Sequence, residues 1–118
     1  THIYGVPEKI ARVFNNIIKN AMYYGYENST ITITSIDDQI YTHIFFKNQG
    51  PTIPQDKLEM IFEQFYRLDE SRSSQTGGTG LGLSIAKMIM NQHKGFIKVK
   101  SQNEITTFEV ILPHRKTV

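Results

Sequence analysis

The apolar residues of the chain recur in two helical patterns and several strand-like ones. Between Pro7 and Tyr24 they return every three or four positions, which predicts an amphipathic helix. The apolar stripe of this helix comprises Ile10, Val13, Phe14, Ile17, Ile18 and Ala21. The same spacing predicts a second long helix from about Leu81 to Gln92. Its predicted stripe comprises Leu81, Ile85, Met88 and Ile89.

Four segments read as strands because they are short, rich in β-branched or aromatic residues, and bounded by turn residues. The segments are Ser29–Ile36, Ile40–Lys47, Phe96–Ser101 and Thr107–Leu112, and a short helix is predicted over Pro54–Phe62. The resulting order is α-β-β-α-α-β-β. It predicts an α+β fold, a two-layer α/β sandwich in which helices cover one face of a mixed, mostly antiparallel sheet.

Composition narrows the class of protein without naming it. With 118 residues, 39% hydrophobic content and no cysteine, the chain is long enough for one domain with a core that needs no disulfides. A net charge of +2, spread along the chain, is too small to indicate binding to nucleic acid or to a membrane surface, and we expect neither contact. Because the chain starts at Thr1 and not at Met, we expect a fragment of a longer protein.

A glycine run supplies the first candidate chemistry. Four of the eight glycines lie within residues 77–82, after a long polar loop and directly before the second long helix. A glycine-rich loop that opens a helix exposes backbone N–H groups to phosphate. The run lacks the lysine of a Walker A loop and the spacing of a Rossmann fingerprint. On the run alone, a flexible linker remains an alternative.

An asparagine pair on the first helix is the second feature that suggests a binding site. Asn16 and Asn20 are four residues apart and lie at the edge of the apolar stripe, where a helix meets a cleft. Amide oxygens are acceptable ligands for Mg²⁺ when substrate phosphates supply the remaining charge. Taken alone, two solvated polar residues on an amphipathic helix are the more common interpretation.

Four segments in this order resemble the N, G1, F and G2 boxes of the sensor histidine kinase ATP-binding domain. They are Asn16–Ala21, Asn48–Pro54, Ile61–Arg67 and Gly78–Leu83, and together they span most of the chain. The wider superfamily shares the Bergerat ATP-binding fold and includes gyrase, Hsp90 and MutL-type ATPases. The segment Phe65-Tyr66-Arg67 favours the kinase branch.

The resemblance implies ATP and Mg²⁺ as cofactors and assigns roles to particular residues. Asn20 is implied as the Mg²⁺ ligand, with Asn16 beside the phosphates. Residues 66–79 would form the ATP lid, and Arg67 and Arg72 within it would contact the γ-phosphate, although exposed arginines on a polar loop are the default interpretation. The backbone clamp for the triphosphate would comprise Gly78, Thr79, Gly80, Leu81, Gly82 and Leu83.

The base would lie beside the G1 box, where the chain departs from the family pattern. Asn48 replaces the aspartate that accepts a hydrogen bond from the adenine amino group, so weaker ATP affinity is expected. Gly50 is retained, whereas Thr52 replaces the second glycine. Tyr24 and Ile53 are candidates for the apolar walls around adenine, as is Ile85, for which core packing is an equal alternative.

Two further departures from the family pattern concern a phosphate contact and the last box of the pattern, which falls around Glu104. Tyr23 stands where a basic residue is often found, and Lys19 or Lys87 could replace that phosphate contact. Glu104-Ile105 occupies positions where glycines are common, while Thr106 is expected to keep a polar role near the base.

No phosphoacceptor segment is recognisable around the four histidines, His2, His43, His93 and His114. The resemblance therefore implies the catalytic half of a kinase, which donates the γ-phosphate to a histidine on a separate, upstream dimerisation domain, for relay to a response regulator. We expect an isolated monomer, a homodimeric full-length protein, and a cytoplasmic position in a membrane-anchored bacterial sensor. The alternatives are a nucleotide-binding scaffold without transfer activity and a GHKL-type ATPase. Against the ATPase, Asn15 and Asn16 stand where such enzymes need a water-activating glutamate.

Overall fold

The computed structural model describes residues 5–64, 66 and 82–114. Its helices and strands follow the predicted order, α-β-β-α-α-β-β. The elements are α1 (Pro7–Tyr24), β1 (Thr32–Asp37), β2 (Tyr41–Gln49), α2 (Gln55–Leu58), α3 (Gly82–Gln92), β3 (Phe96–Gln102) and β4 (Ile105–Pro113). Within these described ranges, no helix is both long and apolar enough to cross a membrane.

The strands form one sheet in the order β1-β2-β4-β3, and all three pairings between the described strands are antiparallel. The long helices α1 and α3 pack against each other, and both contact the core beneath them. The α+β sandwich expected from the sequence is confirmed.

The core lies between the helices and one face of the sheet. Along β2 and β4, the inward positions alternate with exposed or half-buried ones, as the pleat of a strand requires. Phe46 lies opposite Phe108 in this register, and both are buried. The largest fully buried side chains are Phe108, Ile17, Met90, Leu112, Val13 and Val110.

Two elements are shorter than their sequence patterns predicted. β1 starts at Thr32 because the preceding residues form a turn, in which the Ser29 hydroxyl donates to the Tyr26 carbonyl at 2.6 Å and Asn28 has a φ of 63°. The helix predicted over Pro54–Phe62 is regular only from Gln55 to Leu58. It continues as turns, which still bury both Leu58 and Ile61.

The predicted apolar stripe of α3 is partly wrong. Met88 is 51% exposed, whereas Ala86, Ile89 and Met90 are buried. Because α3 contacts both α1 and β3, its buried surface is turned toward Ala86 and Met90, away from Met88. Leu81 lies outside the described residues.

His43 links the β1–β2 hairpin to β4 on the outer face of the sheet. Its Nε2 lies 2.9 Å from an Asp38 carboxylate oxygen and its Nδ1 lies 2.8 Å from Glu109. Two carboxylate acceptors require both ring nitrogens to donate, which only the imidazolium can do. The hydrogen bonds to Asp38 and Glu109 accordingly raise the pKa of His43. The pKa of Asp38 falls to about 2, chiefly because the Tyr41 N–H donates to it and then because of His43.

This arrangement makes part of the stability depend on pH. A folded-state pKa above the unfolded value of about 6.5 means that the contribution of His43 is fully present below that pH. It is lost as the pH rises through the folded-state pKa. We expect the difference in unfolding free energy between wild type and His43→Gln to be larger near pH ~5.5 than near pH ~9, measured by urea denaturation.

The double variant Asp38→Asn, Glu109→Gln is the control, because it removes both acceptors. In that background, the His43→Gln substitution is expected to show little pH dependence. A wild-type advantage that stays constant across this pH range would contradict the assignment.

Candidate functional site

Asn16, the first residue of the α1 asparagine pair, contacts the start of α3. Asn16 and Asn20 are half-buried, between the buried line of Val13 and Ile17 and the solvent-exposed side of the helix. The Asn16 side-chain amide donates to the Gly82 carbonyl at 3.0 Å. This bond joins the first helix to the last part of the glycine run, although 66 positions separate the two residues in sequence.

A row of polar side chains crosses three strands at one end of the core. Asn48 and Thr106 lie opposite each other on the helix side of the sheet and are 6% and 5% exposed. Thr106 in turn pairs with Ser101, and their hydroxyl oxygens are 2.8 Å apart. Each strand changes at this point from apolar to polar on its inward side. The polar row Asn48–Thr106–Ser101 therefore forms a hydrogen-bonding floor next to the apolar core.

The carboxyl end of α1 is held against the end of β2. The Tyr26 N–H donates to the Gln49 carbonyl at 2.8 Å. A Cβ atom on Gly50 would lie 2.9 Å from the Tyr24 carbonyl oxygen and 3.1 Å from the Gly25 Cα, too close for a side chain. This close approach brings Tyr24, one helical turn after Asn20, beside the segment that follows Asn48.

The described part of the site is polar but nearly uncharged. The inward-facing polar side chains Asn16, Asn20, Asn48 and Thr106 are all neutral. Lys19 is exposed on α1, next to the asparagine pair. Lys87, the other candidate for a phosphate contact, places its Nζ 5.7 Å from the centre of the Phe62 ring. The Lys87 ammonium thus lies against the segment that follows α2.

The candidate apolar walls are half-buried. Ile53 packs against the buried cluster beneath the site, as does Leu83 of the predicted triphosphate clamp. Ile85 does the same, which accords with the core-packing alternative for that residue. The Tyr24 ring lies 4.8 Å from the Tyr23 ring in a tilted arrangement at the end of α1.

Several predicted site residues lie outside the described residues: Arg67, Arg72, Gly78, Thr79, Gly80 and Leu81. Of the predicted lid over 66–79, only Tyr66 is described, and it packs half-buried against the core. Of the predicted site residues that are described, Asn16 meets Gly82 at the start of α3, and a second group forms where Tyr24, Gly50 and Asn48 approach one another and Thr106 lies opposite Asn48. Ile53 joins this second group through Ser101, and Asn20 lies on α1 between Asn16 and Tyr24.

Ser101 is a site residue that the sequence reasoning missed. Its hydroxyl accepts a hydrogen bond from the Ile53 N–H at 2.9 Å, as well as lying against Thr106. A signal existed in the pattern of β3, whose inward positions run from Ile97 and Val99 to a serine. The same apolar-to-polar change occurs in β2 and β4, but the three positions align only once the register is known.

A cavity of about 230 Å³ opens near the start of β1. Of the predicted site residues that the structure describes, only Asn48 lines it. The other lining residues are Asn28, Ser29, Thr30, Thr32, Lys47, Gln49 and Ile105. Among the described residues, none of α1 or α3 lines it.

Comparison with known proteins agrees with this geometry. Residues 5–116 match the family described as histidine kinase-, DNA gyrase B- and HSP90-like ATPases. The chain is 57% identical over 109 residues to the sensor protein VanS of Enterococcus faecium, and 45% identical over 106 residues to VanSC of Enterococcus gallinarum. The structure superposes on the catalytic domain of histidine kinase ThkA with a TM-score of 0.80 and 32% identity, covering 95% of this chain and 71% of that one.

The chain belongs to this ATPase family, and it is the ATP-binding catalytic domain of a sensor histidine kinase. The VanS and VanSC matches cover 92% and 90% of the chain but only 28% and 29% of those proteins. The chain thus spans less than a third of the length of these two relatives.

The contact between Gly50 and the end of α1 predicts that alanine substitutions at two glycines, Gly50 and Gly82, change the stability of the domain very differently. Gly50→Ala should destabilise the domain by about 1–3 kcal/mol, because its Cβ meets backbone atoms that cannot move independently. Gly82→Ala is the matched control, since the nearest atoms to its Cβ among the described residues are those of Asn16, at 3.7 Å or more. Its effect should stay within about 1 kcal/mol, toward greater stability. Urea denaturation followed by circular dichroism measures both, and equal stabilities for the two variants would refute the steric argument.

Proposed function

We propose that this domain binds Mg²⁺·ATP between α1, α3 and the polar row, and presents the γ-phosphate to a histidine on a separate helical domain. The observation that carries the proposal is the hydrogen bond from Asn16 to the Gly82 carbonyl. It holds Asn16 beside Gly82, the last glycine of the run, which supports a site where Asn20, one helical turn further along α1, would bind the metal near a phosphate-binding loop.

The adenine base fits the uncharged end of the site. The Asn48 side-chain oxygen would accept a hydrogen bond from the adenine amino group, with Thr106 beside it in the polar row. Tyr24 and Ile53 would flank the ring. A neutral amide is a weaker acceptor than a carboxylate, which supports the expectation of modest ATP affinity.

The triphosphate would extend from there toward α3. Asn20 would supply an oxygen ligand to Mg²⁺, which when bound neutralises charge on the phosphates. The backbone of Gly78, Thr79, Gly80, Leu81, Gly82 and Leu83 would hold the phosphate oxygens. Since the described site residues are neutral, the remaining positive charge would come from Arg67 and Arg72 of the lid over 66–79, with Lys19 nearby.

The reaction is a transfer between two domains. A ring nitrogen of the acceptor histidine attacks the γ-phosphorus, the bond to the ADP oxygen breaks, and the imidazole proton passes to a base on the acceptor domain. Catalysis by this chain consists of positioning and charge neutralisation. We further propose a homodimeric, membrane-anchored full-length sensor with this domain in the cytoplasm, a monomeric isolated domain, and a response regulator as the final acceptor.

Titration with a fluorescent ATP analogue, with and without Mg²⁺, tests the nucleotide site. We expect Asn20→Ala to lower the Mg²⁺-dependent affinity by about tenfold or more, because it removes a metal ligand. Asn15→Ala is the matched control, since Asn15 is exposed on the same helix. Absence of binding by the wild type would defeat the proposal, and equal behaviour of the two variants would remove Asn20 from the metal site.

Addition of a purified helical acceptor domain then distinguishes the kinase function from the scaffold alternative. Acid-labile phosphorylation of that domain is the expected result, because phosphohistidine is hydrolysed in acid. Nucleotide binding without any transfer would instead favour the scaffold alternative.

The identity of residue 48 provides an independent test of base recognition. Asn48→Asp should bind ATP about three- to tenfold more tightly than the wild type, since a charged acceptor makes a stronger hydrogen bond to the amino group. The same fluorescence titration measures it, with circular dichroism to verify that the buried substitution leaves the fold intact. Equal affinities would show that Asn48 does not contact the base.

A further inference from the structure

The turn between β3 and β4 has an unusual backbone. Asn103 and Glu104 have φ values of 52° and 62°, so two successive residues adopt the left-handed conformation that glycine adopts most easily. Asparagine tolerates this conformation, whereas glutamate seldom adopts it. A non-glycine residue persists in such a conformation when surrounding contacts determine it.

Three contacts hold Glu104 against neighbouring segments. Its N–H donates to the Thr52 hydroxyl at 2.7 Å, and its carbonyl accepts from the Gly50 N–H at 3.0 Å. Its carboxylate accepts a hydrogen bond from the Tyr26 hydroxyl. That carboxylate also raises the pKa of Tyr26, mainly through this hydrogen bond.

The β3–β4 turn forms hydrogen bonds with the segment that follows Asn48. Gly50 and Thr52 bond to Glu104, and the Ile53 N–H bonds to Ser101 on the adjoining strand. Three of the four residues from Gly50 to Ile53 are therefore attached to the β3–β4 hairpin. We name these contacts, together with the Tyr26–Glu104 bond, the hairpin clamp.

The hairpin clamp connects two departures from the family pattern. Thr52 stands in place of a glycine in the G1 box, and Glu104 stands where glycines are common in the last box. The structure shows the two residues in direct contact, and a glycine at position 52 would provide no hydroxyl for the Glu104 N–H. The two residues that depart from the family pattern are therefore hydrogen-bonded to each other.

We propose that Thr52 and Glu104 are positioning residues for the nucleotide base: they hold residues 50–53 in place before the nucleotide arrives. The inference rests on the proposed function, in which adenine lies beside Asn48 and Ile53. Preorganisation of this segment improves base recognition because the cost of ordering it is met during folding.

Thr52 and Glu104 are both exposed, so water can replace the lost hydrogen-bond partner when a substitution removes one of these contacts. The fold should then survive, while the segment beside the base becomes less ordered. A loss confined to base recognition distinguishes this role from a general structural one, which would weaken the binding of every nucleotide equally.

The test compares Thr52→Val with Thr52→Ser and with Thr34→Val, an exposed control on β1. Affinities for ATP and for inosine triphosphate, which carries an oxygen where adenine has its amino group, come from competition against a fluorescent ATP analogue. Thr52→Val should weaken ATP binding by about three- to tenfold and inosine triphosphate binding less. Thr52→Ser should restore ATP binding, and Thr34→Val should match the wild type.

Tyr26→Phe removes the other end of the clamp and should shift ATP affinity in the same direction, which keeps the test informative if Thr52→Val does not fold. Equal ATP affinity for Thr52→Val and Thr34→Val, or an equal loss for both nucleotides, would overturn the inference while leaving the proposed function in place. A wild-type domain that binds ATP and inosine triphosphate equally would also overturn it. No ATP binding by the wild type would overturn the proposed function itself.

Discussion

The antiparallel register of β2 against β4 is the constraint on which the rest of the structure depends. It places Phe46 opposite Phe108, and in the next inward row it places Asn48 opposite Thr106. The Phe46–Phe108 pair belongs to the core beneath α1 and α3, and the adjacent Asn48–Thr106 pair belongs to the candidate site. Because side chains alternate across a strand, a slip of one residue in β2 would turn both Phe46 and Asn48 to the outer face. Core and site are therefore specified together.

Under the proposed function, the site divides into a neutral part that receives the base and a part that must carry charge for the phosphates. The helices and strands provide amides, hydroxyls and a close backbone approach at Gly50, which suit an uncharged base. A triphosphate needs positive charge, which the neutral side chains around Asn16 and Asn48 do not supply. Under the proposed function, this division places base recognition on the helix–sheet sandwich and leaves phosphate neutralisation to Mg²⁺ and the arginines of the proposed lid. It also explains why a glycine run without a lysine is compatible with an ATP site.

Local patterns predicted most of the fold. The helical spacing around Ile17 and the two hairpins were sufficient for element order and for the α+β class, because periodicity reports which face of an element is buried. The edge position of Asn16 and Asn20 also followed from spacing along a single helix. The pattern failed for Met88, since α3 packs against two neighbours and its buried side depends on where both lie.

The sequence by itself determined the elements, their order and the residue types available for the site, because these depend on interactions between near neighbours in the chain. Only the tertiary structure decided which distant residues meet. The bond from Asn16 to Gly82, the alignment of Ser101 with Thr106 and Asn48, and the contact of Glu104 with Thr52 all depend on strand register and helix packing. No local pattern encodes those distances, since they result from burying the whole apolar surface at once.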